Sequence, residues 1–261
     1  MVTRLSGLLL RHLYLYRRSV SRIMEIVFWP VMSLMVWGFL SRYLKQMDLP
    51  VAVDYLLGAM ILWELFYRSQ QSVTLSLTEE FWVKNIINLF VAPIRTVELV
   101  LTLCIIGLIK AFIAMVFLGI LAWYFYHFNL FTMGPGLVPF FANLILFGWA
   151  VGMITMSLIL RFGHASEALI WGVPFLIQPI SAVFYPVDTL PAWLKTIAFA
   201  LPSTHVFEGM RAVLNTGKID PARLACTFGL NLAYLAAGGL FFAWMLRQAR
   251  IKGYLSRTNI E

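Results

Sequence analysis

The side chains of this 261-residue chain that could carry out chemistry are few and scattered. Its histidines stand far apart in the sequence, at His12, His127, His164 and His205. His205 is followed by Glu208 and Arg211 at intervals of three, which places the three side chains near one face of a helix. No nucleophile or metal-ligand pattern accompanies them. We therefore interpret this trio as a structural ion-pair cluster, with a catalytic site as the less favoured alternative.

Nucleotide and metal sites are also missing from the sequence. The pair Gly217–Lys218 has Ala212 where a phosphate-binding loop needs its first glycine, and Ile219 in place of Ser or Thr. Cys104 and Cys226 fall on opposite sides of the predicted membrane, so we expect neither a disulfide nor a metal site. We predict that the chain is not an enzyme and holds no cofactor of its own.

The composition predicts the elements that carry these residues. The chain is 61% hydrophobic and 12% charged, with a mean hydropathy of +0.83, which leaves too few polar groups to coat a water-soluble globule. Six apolar runs are long enough to cross a bilayer: 23–41, 52–73, 97–126, 137–160, 168–185 and 224–246. We therefore predict an all-α membrane protein with six transmembrane helices in one domain, 1–261.

Basic residues predict the orientation of these helices. Lys and Arg are concentrated in the N-terminal tail, in the loop between spans two and three, and in the C-terminal tail. The positive-inside rule then places both termini in the cytoplasm. The net charge of +8 is explained by this asymmetry and by anionic membrane lipids, so nucleic acid is not an expected partner.

Two cytoplasmic segments are predicted to form helices outside the bilayer. Residues 1–22 place Arg4, Arg11, Arg18 and Arg22 opposite Val2, Leu9, Leu13, Tyr16 and Val20. This pattern is typical of an amphipathic helix on the inner leaflet, and the alternative is a basic tail without regular structure. In 76–92, Thr78 as N-cap and Pro93 as stop favour a short helix as much as a solvated loop.

Residues 186–215 interrupt the apolar pattern before the last span. Pro186, Pro191 and Pro202 divide them into pieces that are too short to span a bilayer and too apolar to extend into water. We predict short extracytoplasmic helices that re-enter the outer leaflet, the second of which carries the trio that begins at His205.

Charged and aromatic side chains inside the predicted spans are candidates for a substrate pathway. Glu64 and Lys110 lie deepest, and pairing between them, or of Glu64 with Arg68, is the structural alternative to a hydrophilic path. Aromatic rings offer stacking faces to a substrate, although interfacial belts and the core also collect them. Gly148 and Gly152 form a G-x-x-x-G motif that favours close helix packing. The predicted pathway residues are Trp29, Trp37, Trp63, Glu64, Phe66, Lys110, Trp171, Phe175 and Gln178.

The segment FYPVDTLPAWLKTIAFALPSTHVFEGMR, residues 184–211, resembles the extracytoplasmic segment before the last span of ABC-2 type permeases. These are the membrane subunits of exporters for polysaccharides, O-antigen, nodulation factors and drugs. The chain length, the basic amphipathic N-terminus, the six spans and the acidic loop helix ahead of a proline are similar too. The resemblance therefore covers nearly the whole chain.

The resemblance implies a transport mechanism. The coupling helix that docks on a cytoplasmic ABC ATPase would be formed by Glu79, Glu80, Phe81, Trp82, Lys84 and Asn85. That separate subunit, present in two copies, would bind ATP and Mg. The permease would be a homodimer in the bacterial inner membrane that exports an amphipathic or lipid-linked substrate, such as a glycolipid, a lipid or a hydrophobic drug. Alternating access would occur at the dimer interface, with spans one, two and five as walls.

Two other classes stay open on the residues alone. A secondary transporter or channel would work without an ATPase, but it is expected to show stronger polar clusters in the membrane, or internal repeats with broken helices. A lipid-modifying membrane enzyme would need a convergent acid, base or metal constellation, which the scattered histidines do not supply.

Overall fold

The computed structural model describes residues 2–47, 50–82 and 94–252. Within these ranges the chain is helical and has no strand, as predicted. The α-helices there are α1 (Val2–Arg17), α2 (Val20–Gln46), α3 (Pro50–Trp82), α4 (Thr96–Tyr126), α5 (Leu137–Phe162), α6 (Leu169–Ile180), α7 (Ala192–Ala200), α8 (Pro202–Thr216) and α9 (Pro221–Ile251). Short 3₁₀ turns occupy Leu130–Gly136, Gly163–Ser166 and Val187–Thr189.

Four stretches of the described chain are long and apolar enough to cross a membrane. They are Val27–Gln46, Thr96–Tyr126, Leu130–Phe162 and Pro221–Ile251. These coincide with the predicted first, third, fourth and sixth spans, which supports a multi-pass helical membrane protein. Length and composition select these four rather than the six that were predicted.

The predicted second and fifth spans are not among these four. α3 has 33 residues, or about 50 Å, which is long enough to cross a bilayer, and it carries charged and amide side chains among its apolar ones. α6 is apolar but has only 12 residues, or about 18 Å. It ends at Ile180, because Ala182 turns the chain with a φ of 50°, so the helix is shorter than the predicted span 168–185.

α3 tolerates its polar residues because it lies at the centre of the bundle. It packs against α2, α4 and α5, and most of its side chains from Leu56 to Glu80 are buried. Five of its polar side chains donate hydrogen bonds to backbone carbonyls of other helices, the shortest being Ser69 to Ile145 at 2.8 Å, Ser72 to Leu103 at 3.0 Å and Gln71 to Ile170 at 3.0 Å. A buried polar group costs little free energy once its hydrogen bonds are made.

Glycines of α5 and α9 allow the closest helix approaches. A Cβ added to Gly148 would lie 2.7 Å from the Phe66 carbonyl oxygen, and one added to Gly152 would lie 2.9 Å from the Gln70 carbonyl oxygen. The predicted packing of this G-x-x-x-G motif is therefore confirmed, within one chain and against α3. On the other side of α5, a Cβ on Gly238 of α9 would lie 2.8 Å from the carbonyl oxygen of Ala150.

The N-terminal helix α1 runs beside the first half of α4. Arg4 lies 3.8 Å from Glu98, and the Lys110 ammonium lies 4.5 Å from the centre of the Tyr16 ring. The contacts advance from residue 4 to 16 in α1 and from 98 to 110 in α4, so the two helices share a direction over about 18 Å. The predicted helix 1–22 is correct in type but too long, because α1 ends at Arg17 and a new helix starts at residue 20.

The segment 186–215 forms short helices, as predicted. Pro186 precedes a 3₁₀ turn, Pro191 precedes α7, and Pro202 is the first residue of α8. Proline suits these positions because the first turn of a helix does not need its N–H. α8 packs against α9, α5 and α3, which anchors the segment to the bundle.

Candidate substrate cleft and cytoplasmic end

A cleft of about 300 Å³ lies between α2, α3 and α6. Each helix contributes residues at helical spacing, so one face of each helix forms one wall. The lining residues are Trp29, Ser33 and Trp37 from α2, Met60, Trp63, Glu64 and Tyr67 from α3, Pro174, Phe175 and Gln178 from α6, and Phe184 beyond α6. The cleft is thus mostly aromatic and apolar, with one carboxylate and one amide.

Two of the rings that line this cleft stack on each other. The Trp37 and Phe184 rings lie 3.9 Å apart between centroids at an angle of 19°. This contact joins α2 to the turn after α6. Glu64 accepts a hydrogen bond of 3.2 Å from Nε of Arg68, one turn further along α3, and both side chains are buried. The pairing of Glu64 with Arg68 is therefore the one that forms.

The structure brings six predicted pathway residues together on the cleft: Trp29, Trp37, Trp63, Glu64, Phe175 and Gln178. The other three lie elsewhere. Phe66 is fully buried and stacks on Phe147 at 5.3 Å between centroids. Lys110 lies over Tyr16 near α1, and Trp171 is exposed one turn before Phe175. Sequence reasoning missed Ser33 and Met60, although Ser33 stands midway between Trp29 and Trp37 at helical spacing.

Arginines near the N-terminus pair with the carboxylates at the end of α3. Arg11 donates to both oxygens of Glu80 at 2.6 and 2.9 Å, and Arg22 lies 2.9 Å from Glu79. The Trp82 indole N–H donates to Glu167. Both carboxylates thus pair within the chain, and their contact with an ATPase stays a prediction.

Within the described residues, the segment predicted as a short coupling helix, 76–82, is the end of α3. That helix continues without a break through Trp82, so Thr78 is not an N-cap. Its hydroxyl instead donates to the Thr74 carbonyl oxygen at 2.8 Å, within the helix. Phe81 belongs to the same helix. Lys84, Asn85 and the rest of 76–92 beyond Trp82 lie outside the described residues.

His12 is buried among charged residues at this end of the bundle. Burial, and next the neighbouring Arg11 guanidinium, lower the pKa of His12 from 6.5 to about 4. Lys110 and Arg22 act in the same direction, and Glu80 opposes them. The imidazole is therefore neutral at physiological pH, which keeps a further positive charge out of a region already rich in arginine.

The trio in α8 separates into a pair and a single residue. Arg211 donates to Glu208 at 2.7 Å, to Val183 at 2.9 Å and to the Ala182 carbonyl oxygen. Glu208 also accepts from the N–H of Val187 at 2.9 Å. His205 instead contacts the Phe199 carbonyl oxygen at 2.9 Å. The predicted structural ion pair is confirmed for Glu208 and Arg211, which tie α8 to the turn after α6.

Within the described ranges, no three His, Cys, Asp or Glu side chains gather as a metal site would require. Residues 40–246 match the model of a protein family described as ABC-2 family transporter protein. The match covers most of the chain. This chain belongs to the ABC-2 transporter family. No individual curated protein matched it.

Membership of the ABC-2 transporter family explains the apolar bundle. Such a permease is a multi-pass membrane transport subunit, and membership implies association with an ABC ATPase. The matched region of this ABC-2 protein begins at residue 40, near the end of α2. The arginines that hold Glu79 and Glu80 therefore stand before the matched region.

Proposed function

We propose that this chain is the membrane subunit of an ATP-driven exporter for an amphipathic or lipid-linked substrate, working as a homodimer with two copies of a separate ABC ATPase. The observation that carries the proposal is the course of α3. One uninterrupted helix lines the cleft at Glu64 and ends at Trp82, about 27 Å away, at the predicted cytoplasmic side. A movement imposed at one end of such a helix is transmitted to the other.

The lining of the cleft supports an amphipathic substrate. Aromatic rings such as Trp29, Trp63 and Phe175 offer apolar stacking surfaces for sugar rings or for lipid chains. Glu64 and Gln178 supply a few polar contacts for orientation, which is the usual composition of a ligand site. A volume of about 300 Å³ holds part of a lipid-linked molecule, with the remainder left in the bilayer.

A homodimer would complete the pathway. The cleft opens between α2 and α6, where Trp29 and Phe175 are more than half exposed. Other large apolar side chains on these two helices are exposed too: Phe28, Val36, Phe39, Trp171 and Leu176. A second copy set against this face would cover the apolar surface and turn two half-open clefts into one path between the subunits. Alternating access would then follow from separation and closure of the two copies.

Coupling would use the end of α3 and the segment that follows it, which the sequence predicts as the loop between spans two and three. Trp82 is 41% exposed at that end and so has surface to offer the ATPase. Glu79 and Glu80 would act through Arg22 and Arg11, holding α3 against the N-terminal helices while the ATPase moves the loop. Both termini would lie in the cytoplasm of a bacterial inner-membrane protein, on the same side as this loop.

The experiment that tests coupling is purification of the tagged full-length protein from its native membranes in mild detergent, with mass spectrometry and ATPase assays of what co-purifies. We expect an ABC ATPase, and we expect Trp82→Ala to lower its recovery or its activity in the complex. Trp244→Ala is the matched control, since Trp244 is 50% exposed on α9. Recovery without any ATPase, or an equal loss in both variants, would contradict the proposal.

The cleft is tested in the same complex. Candidate amphipathic substrates that stimulate the ATPase should lose most of their effect in Trp29→Ala, while the basal rate stays as in the parent. Trp244→Ala again serves as control, because it removes an exposed tryptophan away from the cleft. Equal stimulation of Trp29→Ala and the parent would place the substrate elsewhere.

The dimer is tested by cross-linking. Phe175→Cys in a Cys104→Ala, Cys226→Ser background should give a dimer band with a short bifunctional maleimide in membranes. Leu240→Cys, exposed on α9, should not. A dimer band for Leu240→Cys alone would move the interface to α9.

A further inference from the structure

A cleft lined by arginines lies at the junction of α1 and α2, separate from the substrate cleft. It has a volume of about 770 Å³ and opens to the surface. Its lining residues are Arg11, Tyr14, Leu15, Arg18, Ser19 and Arg22. Neither the family assignment nor the proposed transport cycle gives these residues a ligand.

The local fold brings the three guanidinium groups together. Arg11 and Arg18 are seven residues apart, so they lie on the same side of the N-terminal segment. The chain then turns, and Ser19 caps α2 by accepting a hydrogen bond of 3.4 Å from the N–H of Arg22. The side chain of Arg22 thus returns to the same cleft.

The charge of this cleft favours an anion. Arg11 and Arg22 are paired with Glu80 and Glu79, but each guanidinium has five N–H donors and retains some for a second acceptor. Among the described residues, the Arg18 side chain has no carboxylate partner. The cleft also lies at the N-terminus of the 27-residue α2, which has no acidic residue in its first turn. The positive end of the helix dipole therefore adds to the arginines.

The position of the cleft identifies the source of the anion. The first candidate span includes Val27–Gln46, and Arg22 lies little more than one turn before Val27 on the same helix, so the arginines lie at the depth of lipid headgroups. Large apolar side chains are exposed beside the cleft at Leu13, Val20 and Met24, where the acyl chains of a lipid would run. A lipid offers phosphate and hydrocarbon together, as this surface requires.

We propose that the cleft formed by Arg11, Arg18, Arg22 and Ser19 binds the phosphate headgroup of an anionic phospholipid in the cytoplasmic leaflet. The bound lipid bridges α1 and α2 beside the ion pairs that hold the end of α3. This site requires only that α1 lie at the cytoplasmic surface, so it does not depend on the substrate or on the ATPase.

The test is native mass spectrometry of the full-length protein in detergent, titrated with short-chain phosphatidylglycerol or phosphatidylcholine. We expect selective retention of phosphatidylglycerol, weakened about fivefold in Arg18→Gln, the loss for one basic contact at a membrane surface. Arg17→Gln is the matched control, because Arg17 is exposed, adjacent and outside the cleft lining. Arg18→Lys should keep most of the retention, since it keeps the charge.

Three results would overturn the proposal: equal retention of both lipids, equal weakening in Arg17→Gln and Arg18→Gln, or displacement of phosphatidylglycerol by millimolar inorganic phosphate alone. The last would identify a site for a soluble anion. Thermal unfolding of Arg18→Gln checks that the variant is folded. None of these readouts depends on transport, so failure of the lipid site and failure of the proposed exporter function are distinguishable.

Discussion

The guanidinium of Arg11 donates two hydrogen bonds, of 2.6 and 2.9 Å, to the carboxylate of Glu80, 69 residues further along the chain. This bidentate contact fastens the N-terminal helix α1 to the end of α3, the helix that also lines the substrate cleft. Glu80 is 5% exposed, so its charge depends on Arg11 rather than on water for compensation.

Glu80→Gln and Arg11→Gln should therefore have the same effect. Each removes the charge-assisted contact, and we expect α1 to undock more readily by about 1–2 kcal/mol, less than a fully buried pair because Arg11 is partly exposed. Hydrogen exchange of α1 amides in detergent measures this opening. The charge-reversed pair Arg11→Glu with Glu80→Arg should restore part of the protection. If Arg11→Gln increased the hydrogen exchange of α1 amides and Glu80→Gln did not, the ion pair would not be what holds α1. The Glu80 carboxylate would then have another role.

The docking of α1 should weaken in acid because of His12. Its pKa is about 4 when buried and 6.5 when the helix is free, so the undocked state binds the proton more readily. The contribution is fully present above pH 6.5 and is lost as the pH falls towards 4, at about 1.4 kcal/mol per pH unit within that window. Hydrogen exchange of α1 between pH 7 and 4 measures it. His12→Gln should flatten the profile, and an unchanged slope would assign it to other groups.

Neighbouring glycines of α9 should respond differently to alanine. Gly238→Ala would place a methyl group 2.8 Å from the Ala150 carbonyl oxygen, and a backbone atom cannot move aside cheaply. We expect a loss of about 1–3 kcal/mol, seen as a lower unfolding temperature in detergent. Gly239→Ala meets nothing within 4 Å and should leave stability unchanged or slightly raised. Equal effects at the two positions would mean that α9 and α5 are further apart.

The stability of segment 186–215 should depend on Arg211 more than on the exposed charged residues of the segment. Arg211→Met removes the ion-pair partner of Glu208 and frees the carbonyl groups of Ala182 and Val183, so we expect a loss of about 3–5 kcal/mol in the free energy of unfolding. Arg211→Lys should not restore it, because an ammonium cannot reproduce the planar fork.

Lys195→Met is the control for that prediction. It breaks the ion pair with Asp188, which is 3.1 Å long but exposed to solvent, and so should change stability little. Thermal unfolding in detergent compares the three variants. Full rescue by Arg211→Lys would show that charge alone, rather than the fork of donors, holds the turn.

Several features were determined by local sequence. Apolar runs of bilayer length predict a membrane protein, and four of them are observed as helices of that kind. The three prolines of 186–215 predict short helices, since proline cannot continue one that precedes it. Gly148 and Gly152 predict a close helix contact, since two missing side chains one turn apart leave a groove. Each of these depends on neighbouring residues only.

Other features were decided by tertiary packing. α3 carries charged and amide side chains in the middle of an apolar protein, and only the packing of α2, α4 and α5 around it buries them. Thr78 has the type of an N-cap, yet the helix continues past it, and its hydroxyl donates to the Thr74 carbonyl oxygen within the helix. Glu64 pairs with Arg68, whereas Lys110 lies over the Tyr16 ring of α1.

Tertiary packing also decided the pairing of Arg11 with Glu80 and the assembly of the cleft. Periodicity in a sequence tells which face of a helix is apolar, but not which helix it meets or at what height. Those relations depend on how three or four helices pack together, through glycines that admit a neighbour and polar side chains that find a carbonyl. The sequence by itself therefore determined the kind of protein and most of its helices, whereas only the tertiary structure decided which distant charges and rings share a site.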